Sequence, residues 1–350
     1  MEFVVYQFPS YAGQVINRLI EEDWLIHSLP LNDKEEIYNP SAYLYNLEME
    51  GIEYTIHLDL NIYQYILSAF KKPKKNDLHR SAIALVVFAK FTNIKFDPSI
   101  AIYEKLNYKN QCPDDLVDDL VLFRQIDNSD MDLLAQFALG YKDTIELPAP
   151  THLDRSLFKS QLTKYRRLKK WDTLYVLVLK ITELYFCDKG LSDESKLEHF
   201  WCWCHEEFLF SLVATCFAIK LFGKQSNSKL MKYSPKLSAE KNKKHLVNMT
   251  WDLFLLDKFF ENWVNKPEQE EFVYATNDKP LRAVLEIAIE VQSGGYEVDL
   301  SKDLRKPLIE SFFNMFELVM TEQGRHITSV TDFKSFRDGI INDYETLLRV

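Results

Sequence analysis

The chain contains few glycines, few cysteines and no long uninterrupted apolar segment. Only 9 of its 350 residues are glycine, whereas 47% are hydrophobic and 14% are aromatic. This composition is typical of a packed, helix-rich globule, and it argues against a disordered chain or an all-β sandwich. A chain of this length can bury a large core, and we expect one elaborated domain.

The cysteines and the apolar segments predict where the protein resides. The five cysteines are odd in number and scattered, which is not the pattern of a disulfide framework, so we expect a reducing, cytoplasmic compartment. The most apolar segment, 208–223, is shorter than the roughly 20 residues that span a bilayer and is interrupted by Lys220. The first residues lack the pattern of a secretory signal. We therefore expect no membrane association.

Positive charge is also scarce, because the formal net charge is -10. Attraction of nucleic acid to the molecule as a whole is not expected, so any such binding would depend on local basic stretches. Three stretches qualify, at 71–80, 159–171 and 229–245, although each could be an ordinary solvated face. The candidate nucleic-acid ligands within them are Lys71, Lys72, Lys74, Lys75, Arg166, Arg167, Lys243 and Lys244.

Several common catalytic motifs are missing from the sequence. There is no Gly-x-Ser-x-Gly elbow and no glycine-rich phosphate loop, which argues against an α/β-hydrolase triad and a P-loop nucleotide hydrolase. The sequence EHFWCWCH at 198–205 brings cysteines and histidines together, as a zinc site would. It has no second pair at zinc-finger spacing, and packing of a buried helix is the simpler interpretation.

The apolar patterning predicts strands and helices at both ends of the chain and helices alone in the middle. Predicted strands lie at 3–8, 54–60, 271–278 and 296–300. Predicted helices at the two ends lie at 11–26, 63–70, 81–91, 250–264, 279–291, 308–320 and 332–348. A lysine-rich loop is expected at 234–245. Asp97 and Pro98 predict a helix over Ser99–Asn107, because they suit its cap and its first position.

Acidic residues fall where such a fold would gather them. Asp59 and Asp278 end two predicted strands, and Asp252 lies in the first predicted turn of the helix before the second of these strands. The carboxyl ends of parallel strands meet at one crevice, where ligands bind. Carboxylates without histidine or cysteine suit Mg²⁺ or Mn²⁺, and such ions assist hydrolysis of phosphodiester bonds.

These motifs, in this order, resemble those of the PIN-domain nucleases. The resemblance rests on HLDLNIY with Asp59, on IKFDPSIAIYEKL with Glu104, on TWDLFLLDKFF with Asp252, and on FVYATND with Asp278. It implies that these four acids hold Mg²⁺ or Mn²⁺ and are catalytic. It also implies that two further residues, Asn61 and Thr276, orient the ligands or water. The wide spacing between Glu104 and Asp252 departs from compact members of the family and requires an insertion.

Five of these residues also have a purely structural interpretation. Asp59, Asn61 and Asp278 could cap the helices that follow them, and Glu104 could be a solvated charge. An acid at Asp252 would be favoured at any helix N-terminus. Alternatives for a fourth metal ligand are Asp97, Asp257 and Glu261.

The resemblance implies an α/β fold with a PIN-like core and a parallel central sheet, elaborated by a large helical insertion and a helical C-terminal tail. The predicted divisions are an N-terminal extension at 1–50, a core at 51–110 and 246–300, an insertion at 111–245, and a C-terminal extension at 301–350.

The function expected from the resemblance is that of a metal-dependent endoribonuclease acting on RNA, of a toxin or defence type. Two alternatives stay open: a nuclease for single-stranded or flap DNA, and a non-catalytic helical interaction protein. An oligomeric state and an inhibitory or defence partner protein also stay open.

Overall fold

The computed structural model describes residues 5–27, 34–107, 111–150, 153–164, 169–187, 190–294, 298–322 and 332–350. The chain folds into two compact units. Unit 1 comprises Met1–Arg167 and Glu261–Asn277, and unit 2 comprises Leu168–Phe260 and Asp278–Val350. These boundaries differ from the predicted divisions. Residues 1–50, predicted as an N-terminal extension, and residues 111–167, predicted as part of the insertion, are grouped with the unit that contains the sheet. The fold is α/β and mostly helical, as predicted.

Unit 1 is built on a mixed sheet of four strands in the order β1-β4-β2-β3. Their bounds are β1 Leu25–His27, β2 Glu53–Leu58, β3 Lys95–Asp97 and β4 Glu270–Ala275. β4, β2 and β3 run parallel, whereas β1 lies antiparallel to β4 at the edge. The predicted parallel sheet is therefore confirmed for three strands. The buried residues of the two inner strands are mostly apolar, as the fully covered Ile56 and Val273 illustrate, and His57 of β2 is a buried polar exception.

The helices of unit 1 cover this sheet. They are α1 Ala12–Glu22, α2 Lys34–Ile37, α3 Pro40–Tyr45, α4 Leu60–Lys71, α5 Asp77–Phe91, α6 Ser99–Asn107, α7 Pro113–Asp127, α8 Met131–Ala138 and α9 Arg155–Lys164, with a π-helical turn at Asn46–Glu50. α5 forms the centre of the core, because all its residues from Ser81 to Ala89 are buried and it packs against α1, α4 and α8. A helix that is apolar on every side is expected to be enclosed in this way.

Unit 2 is helical throughout the part of it that the structure describes. Its helices are α10 Lys169–Phe186, α11 Asp193–Glu206, α12 Leu212–Phe222, α14 Lys279–Gly294, α15 Lys306–Glu322 and α16 Phe333–Leu348, with 3-10 turns at Ser228–Leu230 and Leu300–Lys302. α13 Ala239–Val264 belongs to unit 2 up to Phe260. The apolar α12 packs against α10, α11 and α14. Across the described ranges, every helix is too short or too polar to cross a lipid bilayer.

Two predictions for the N-terminal residues are wrong. The predicted strand at 3–8 forms no strand over its described residues 5–8, where the Phe8 ring packs on Phe91 at 5.9 Å instead of joining the sheet. The predicted helix at 11–26 ends at Glu22, because Asp23 adopts a left-handed conformation with φ of 55°. The buried apolar residues that follow then form β1.

Two predictions near the C-terminal half are also wrong. The expected lysine-rich loop at 234–245 ends at Ser238, and α13 begins at Ala239. The backbone N–H of Asn242 donates to the Ser238 carbonyl at 2.9 Å, and the lysines and glutamate that follow are good helix formers. The expected strand at 296–300 is absent from its described residues, since Leu300 opens a 3-10 turn.

The remaining elements agree with the sequence patterns. α6 spans Ser99–Asn107 as predicted, and α4, α14, α15 and α16 lie where helices were expected. The apolar segment 208–223 contributes α12, whose N-terminus is capped by Ser211 through a 3.2 Å hydrogen bond from the Ala214 N–H.

Candidate functional site

Asp59 follows β2 directly and begins α4. Its Oδ1 accepts a 2.7 Å hydrogen bond from the Ile62 backbone N–H, so it is the N-cap of the helix. Its own N–H donates to the Ala275 carbonyl on β4 at 3.0 Å. The residue is only 6% exposed. Sheet and helix together therefore fix a buried carboxylate at the carboxyl end of the central parallel strand.

The neighbouring strand β4 ends beside it. Leu58 and Ala275 are paired in register, so the residues that follow them leave the same edge of the sheet. Thr276 is buried and its N–H donates to the Trp24 carbonyl at 3.0 Å. Asn277 is a polar residue that the motif analysis did not single out. Its Oδ1 accepts from Trp24 Nε1 at 3.2 Å, which fixes the amide.

A histidine on β2 and a carboxylate on the third parallel strand, β3, also lie at this edge. His57 on β2 is in register with Asp97 on β3, and its Nδ1 lies 3.1 Å from Asp97 Oδ2. Burial raises the pKa of Asp97, but the His57 contact and hydrogen bonds from Ser99 outweigh it and hold that pKa below its usual value. Sequence reasoning missed His57. Its signal was the spacing of two residues from Asp59, which places both on one face of an extended strand.

Glu104 lies in α6, the helix that follows β3. It is 8% exposed, and α6 packs against both β2 and α4. Asp59 joins those two elements, so the structure brings two of the four predicted acids into contacting elements of one unit. The expectation that Glu104 could be a solvated surface charge is wrong, because the residue is buried.

A buried ion-pair network adjoins Glu104. Lys105 pairs with Asp119 of α7 at 2.5 Å, and Lys71 of α4 pairs with the other carboxylate oxygen. The Lys105 ammonium also lies 5.2 Å from the centroid of the Tyr63 ring. Asp119 is 2% exposed and thus links α4, α6 and α7 from within the core.

Asp252 occupies a different environment from the one predicted. It lies well inside α13, so the prediction that it opens a helix is wrong, and the attraction of a helix N-terminus does not apply to it. Its Oδ2 pairs with Lys232 and accepts a 3.1 Å hydrogen bond from Asn248 Nδ2. Within unit 2, its charge is therefore matched by a lysine.

Asp278 caps α14. Its Oδ1 accepts from the Leu281 N–H at 3.2 Å, and its carbonyl accepts from the Arg282 N–H at 2.9 Å. The capping role expected as an alternative is confirmed. Asp278 is assigned to unit 2, and its role as a metal ligand stays a prediction. Asn61 lies in the first turn of α4 and is exposed.

The predicted nucleic-acid ligands occupy several environments. Lys71 is held by Asp119, and Lys75 donates to the Lys72 carbonyl, whereas Lys72 and Lys74 are exposed. Lys243 pairs with Glu345 and lies over the Tyr175 ring, and Lys244 pairs with Glu240. Arg166 and Arg167 lie outside the described residues.

These positions determine whether the described residues could bind a metal ion. Within the described ranges, no three histidine, cysteine, aspartate or glutamate side chains are grouped so that they could hold a metal ion. The four predicted acids divide between the units, with Asp59 and Glu104 in unit 1 and Asp252 and Asp278 in unit 2, and a site of all four stays a prediction. Mg²⁺, however, commonly takes only one or two carboxylates and completes its shell with water and substrate phosphate. Asp59 and Glu104 are oxygen donors of that kind.

Three comparisons with known proteins bear on identity. No protein-family model, no curated protein and no solved structure matches the chain. The resemblance to PIN-domain nucleases thus rests on the sequence motifs alone and stays a prediction.

Proposed function

We propose that unit 1 is a metal-dependent nuclease that hydrolyses phosphodiester bonds of RNA, with Asp59 and Glu104 as its metal ligands. One observation carries the proposal. A buried carboxylate, Asp59, directly follows the central parallel strand, and Glu104 lies on the helix that packs against that strand. Ligand sites of α/β sheets form at this edge. The order of the acidic motifs along the chain supports the same assignment.

The protein side chains would perform distinct tasks in this reaction. Bound Mg²⁺ or Mn²⁺ would supply an activated water and stabilise the charge that develops on phosphorus. Asp59 is oriented by its hydrogen bond from Ile62, so its carboxylate needs little reorganisation to bind a cation. Thr276 and Asn277 follow the adjacent strand β4, where a hydroxyl and an amide would orient water or substrate. Asp252 is left out of the proposed site because Lys232 neutralises it.

The motif resemblance, together with the reducing environment inferred from the cysteines, supports a cytoplasmic enzyme of toxin or defence type. RNA is the proposed substrate. Metal-assisted phosphodiester hydrolysis does not by itself require a 2′-hydroxyl, so single-stranded DNA is the alternative that the experiment must separate.

The test is cleavage of labelled single-stranded RNA and of a DNA strand of matched sequence by the purified chain. Reactions contain Mn²⁺, Mg²⁺ or a chelator, and they compare the wild type with Asp59→Asn and Glu104→Gln. We expect metal-dependent cleavage of RNA that both substitutions reduce by at least roughly a hundredfold. Asp59→Asn should keep the wild-type melting temperature, because asparagine caps helices as well as aspartate does.

Matched controls are Asp115→Asn and Glu50→Gln, which alter exposed acids of the same unit. Both should cleave as the wild type does. Cleavage of DNA alone would replace the substrate and keep the site. A folded chain that cuts neither strand would refute the proposal in favour of a non-catalytic interaction protein. Cleavage that persists after both site substitutions would refute the assignment of Asp59 and Glu104 as the site.

A further inference from the structure

Unit 2 carries a lysine-rich segment at 224–244, which we call the lysine surface. It contains seven lysines, one acid and no arginine, whereas the whole chain has a net charge of -10. The seven are Lys224, Lys229, Lys232, Lys236, Lys241, Lys243 and Lys244, and the acid is Glu240. So strong a local excess of positive charge creates an attractive field for anions on an otherwise acidic protein.

Four of the seven lysines have partners in unit 2. Lys224 donates to the Ser301 carbonyl, and Lys232, Lys243 and Lys244 pair with Asp252, Glu345 and Glu240. The other three, Lys229, Lys236 and Lys241, are exposed and make no ion pair with any residue that the structure describes. Their charges are therefore available to an external anion.

The backbone that bears these lysines is held in place. Asn242 is 3% exposed, and its side chain accepts from the Ser234 N–H at 3.1 Å and donates to the Ser234 carbonyl at 2.9 Å. The Tyr233 hydroxyl donates to the Leu348 carbonyl at 2.8 Å. The loop is thus folded back onto the first turns of α13. A partner would meet lysines on a fixed backbone and would not have to order the loop.

The apolar side chains of the surface identify the kind of partner. Leu230 and Tyr233 are buried, at 4% and 7% exposure, Met231 and Leu237 are half-buried, and Leu246 beyond them is fully enclosed. A protein partner would need apolar or aromatic anchors at the interface, and a specific carboxylate site would favour arginine. A phosphate backbone needs neither, since lysine ammonium groups bind it by charge alone.

We propose that the lysine surface binds the phosphate backbone of nucleic acid through Lys229, Lys236 and Lys241. Binding is electrostatic and independent of base sequence, and it does not require cleavage in unit 1. The surface differs from the sequence-based assignment, since Lys243 and Lys244 are engaged by Glu345 and Glu240.

The test is fluorescence anisotropy of a labelled single-stranded RNA of about 20 nucleotides, with chelator present, over about 50–200 mM salt. The variant is Lys229→Gln/Lys236→Gln/Lys241→Gln. The control, Lys142→Gln/Lys306→Gln/Lys334→Gln, removes the same charge from other exposed lysines. We expect the first variant to bind at least roughly tenfold more weakly and its slope of log affinity against log salt to fall by about 2. The control should bind as the wild type does.

Three results would overturn the proposal. In the first, the wild type binds none of RNA, single-stranded DNA and a duplex at low salt. In the second, the two triple variants bind RNA with equal affinity. The third is tighter binding of a polyglutamate peptide than of RNA, which would identify an acidic protein as the partner. Because the chelator prevents metal-dependent cleavage, Asp59→Asn should bind like the wild type. Failure of the proposed nuclease is therefore distinguishable from failure of this surface.

Discussion

Asp59 combines a structural and a proposed chemical role at the scale of a single residue. It caps α4 through Ile62, and the same hydrogen bond fixes the carboxylate at the end of β2. The two sequence interpretations, helix cap and metal ligand, are thus compatible. Asp278 shows the same capping geometry at α14, which means that a strand-ending aspartate followed by a helix is first of all a cap.

His27 gives unit 1 a dependence on pH. Burial lowers the pKa of His27 to about 4, and nearby Glu271 opposes the shift only in part. The unfolded chain, with a pKa near its ordinary value of 6.5, binds the proton first as pH falls. The contribution of neutral His27 to the free energy of unfolding is therefore fully present above about pH 6.5. It declines as pH falls toward 4, by up to about 3 kcal/mol.

Urea unfolding at pH 7 and pH 5 measures this effect. His27→Gln should flatten the dependence, whereas His199→Gln, at an exposed position of α11, should leave it unchanged. If the free energy of unfolding changed equally between pH 7 and pH 5 in the wild type and in His27→Gln, another group would be responsible for the pH dependence.

Among the secondary-structure elements, the pairing of Asp119 with Lys71 and Lys105 links the helices α7, α4 and α6. Burial raises the pKa of Asp119, but hydrogen bonds from Lys105 and Lys71 outweigh it and hold the pKa below its usual value. The carboxylate is thus charged inside the core and neutralised by both lysines. Since Lys105 follows Glu104 in α6, this network also sets the position of the helix that carries a proposed ligand.

Asp119→Asn should lower the free energy of unfolding by about 3–5 kcal/mol, because it leaves the Lys105 ammonium buried without a countercharge. Asp118→Asn is the matched control. It breaks only the exposed pair with Arg155, which is worth at most about 1 kcal/mol. Lys105→Met/Asp119→Leu, which replaces the pair by apolar groups, should recover much of the loss. Equal denaturation midpoints for the two single variants would contradict the buried network.

Local signals decided which elements could be predicted. The bounds of α6 followed from Asp97 and Pro98, because the Asp97 carboxylate accepts from the Ser99 N–H at 2.8 Å. The start of α13 was missed because a dense run of lysines was interpreted as a loop, although lysine is a good helix former. β1 was missed because its apolar residues continue the pattern of α1, and only the left-handed turn at Asp23 separates them.

Long-range pairing decided the rest at the scale of the whole molecule. The edge position of β1 depends on pairing with β4, some 250 residues further on, and no local pattern reveals such a partner. The same holds for the partners of charged residues. Asp252 and Lys71 have the sequence contexts of functional groups, but the chain folds Lys232 and Asp119 against them. A sequence motif therefore cannot show whether a charged residue is already neutralised by a distant partner.

The most direct test of the proposed site is binding of Mn²⁺ to the purified chain. Electron paramagnetic resonance of the free ion measures the binding, and the melting temperature of the protein provides an independent check. We predict a saturable site that disappears in Asp59→Asn/Glu104→Gln but persists in the exposed-acid control Asp115→Asn/Glu50→Gln. The wild type should also gain about 2.7 kcal/mol of stability at a hundredfold excess over the dissociation constant. A folded wild type that binds no Mn²⁺, or a double variant that binds it equally well, would contradict a metal site at the carboxyl edge of the sheet.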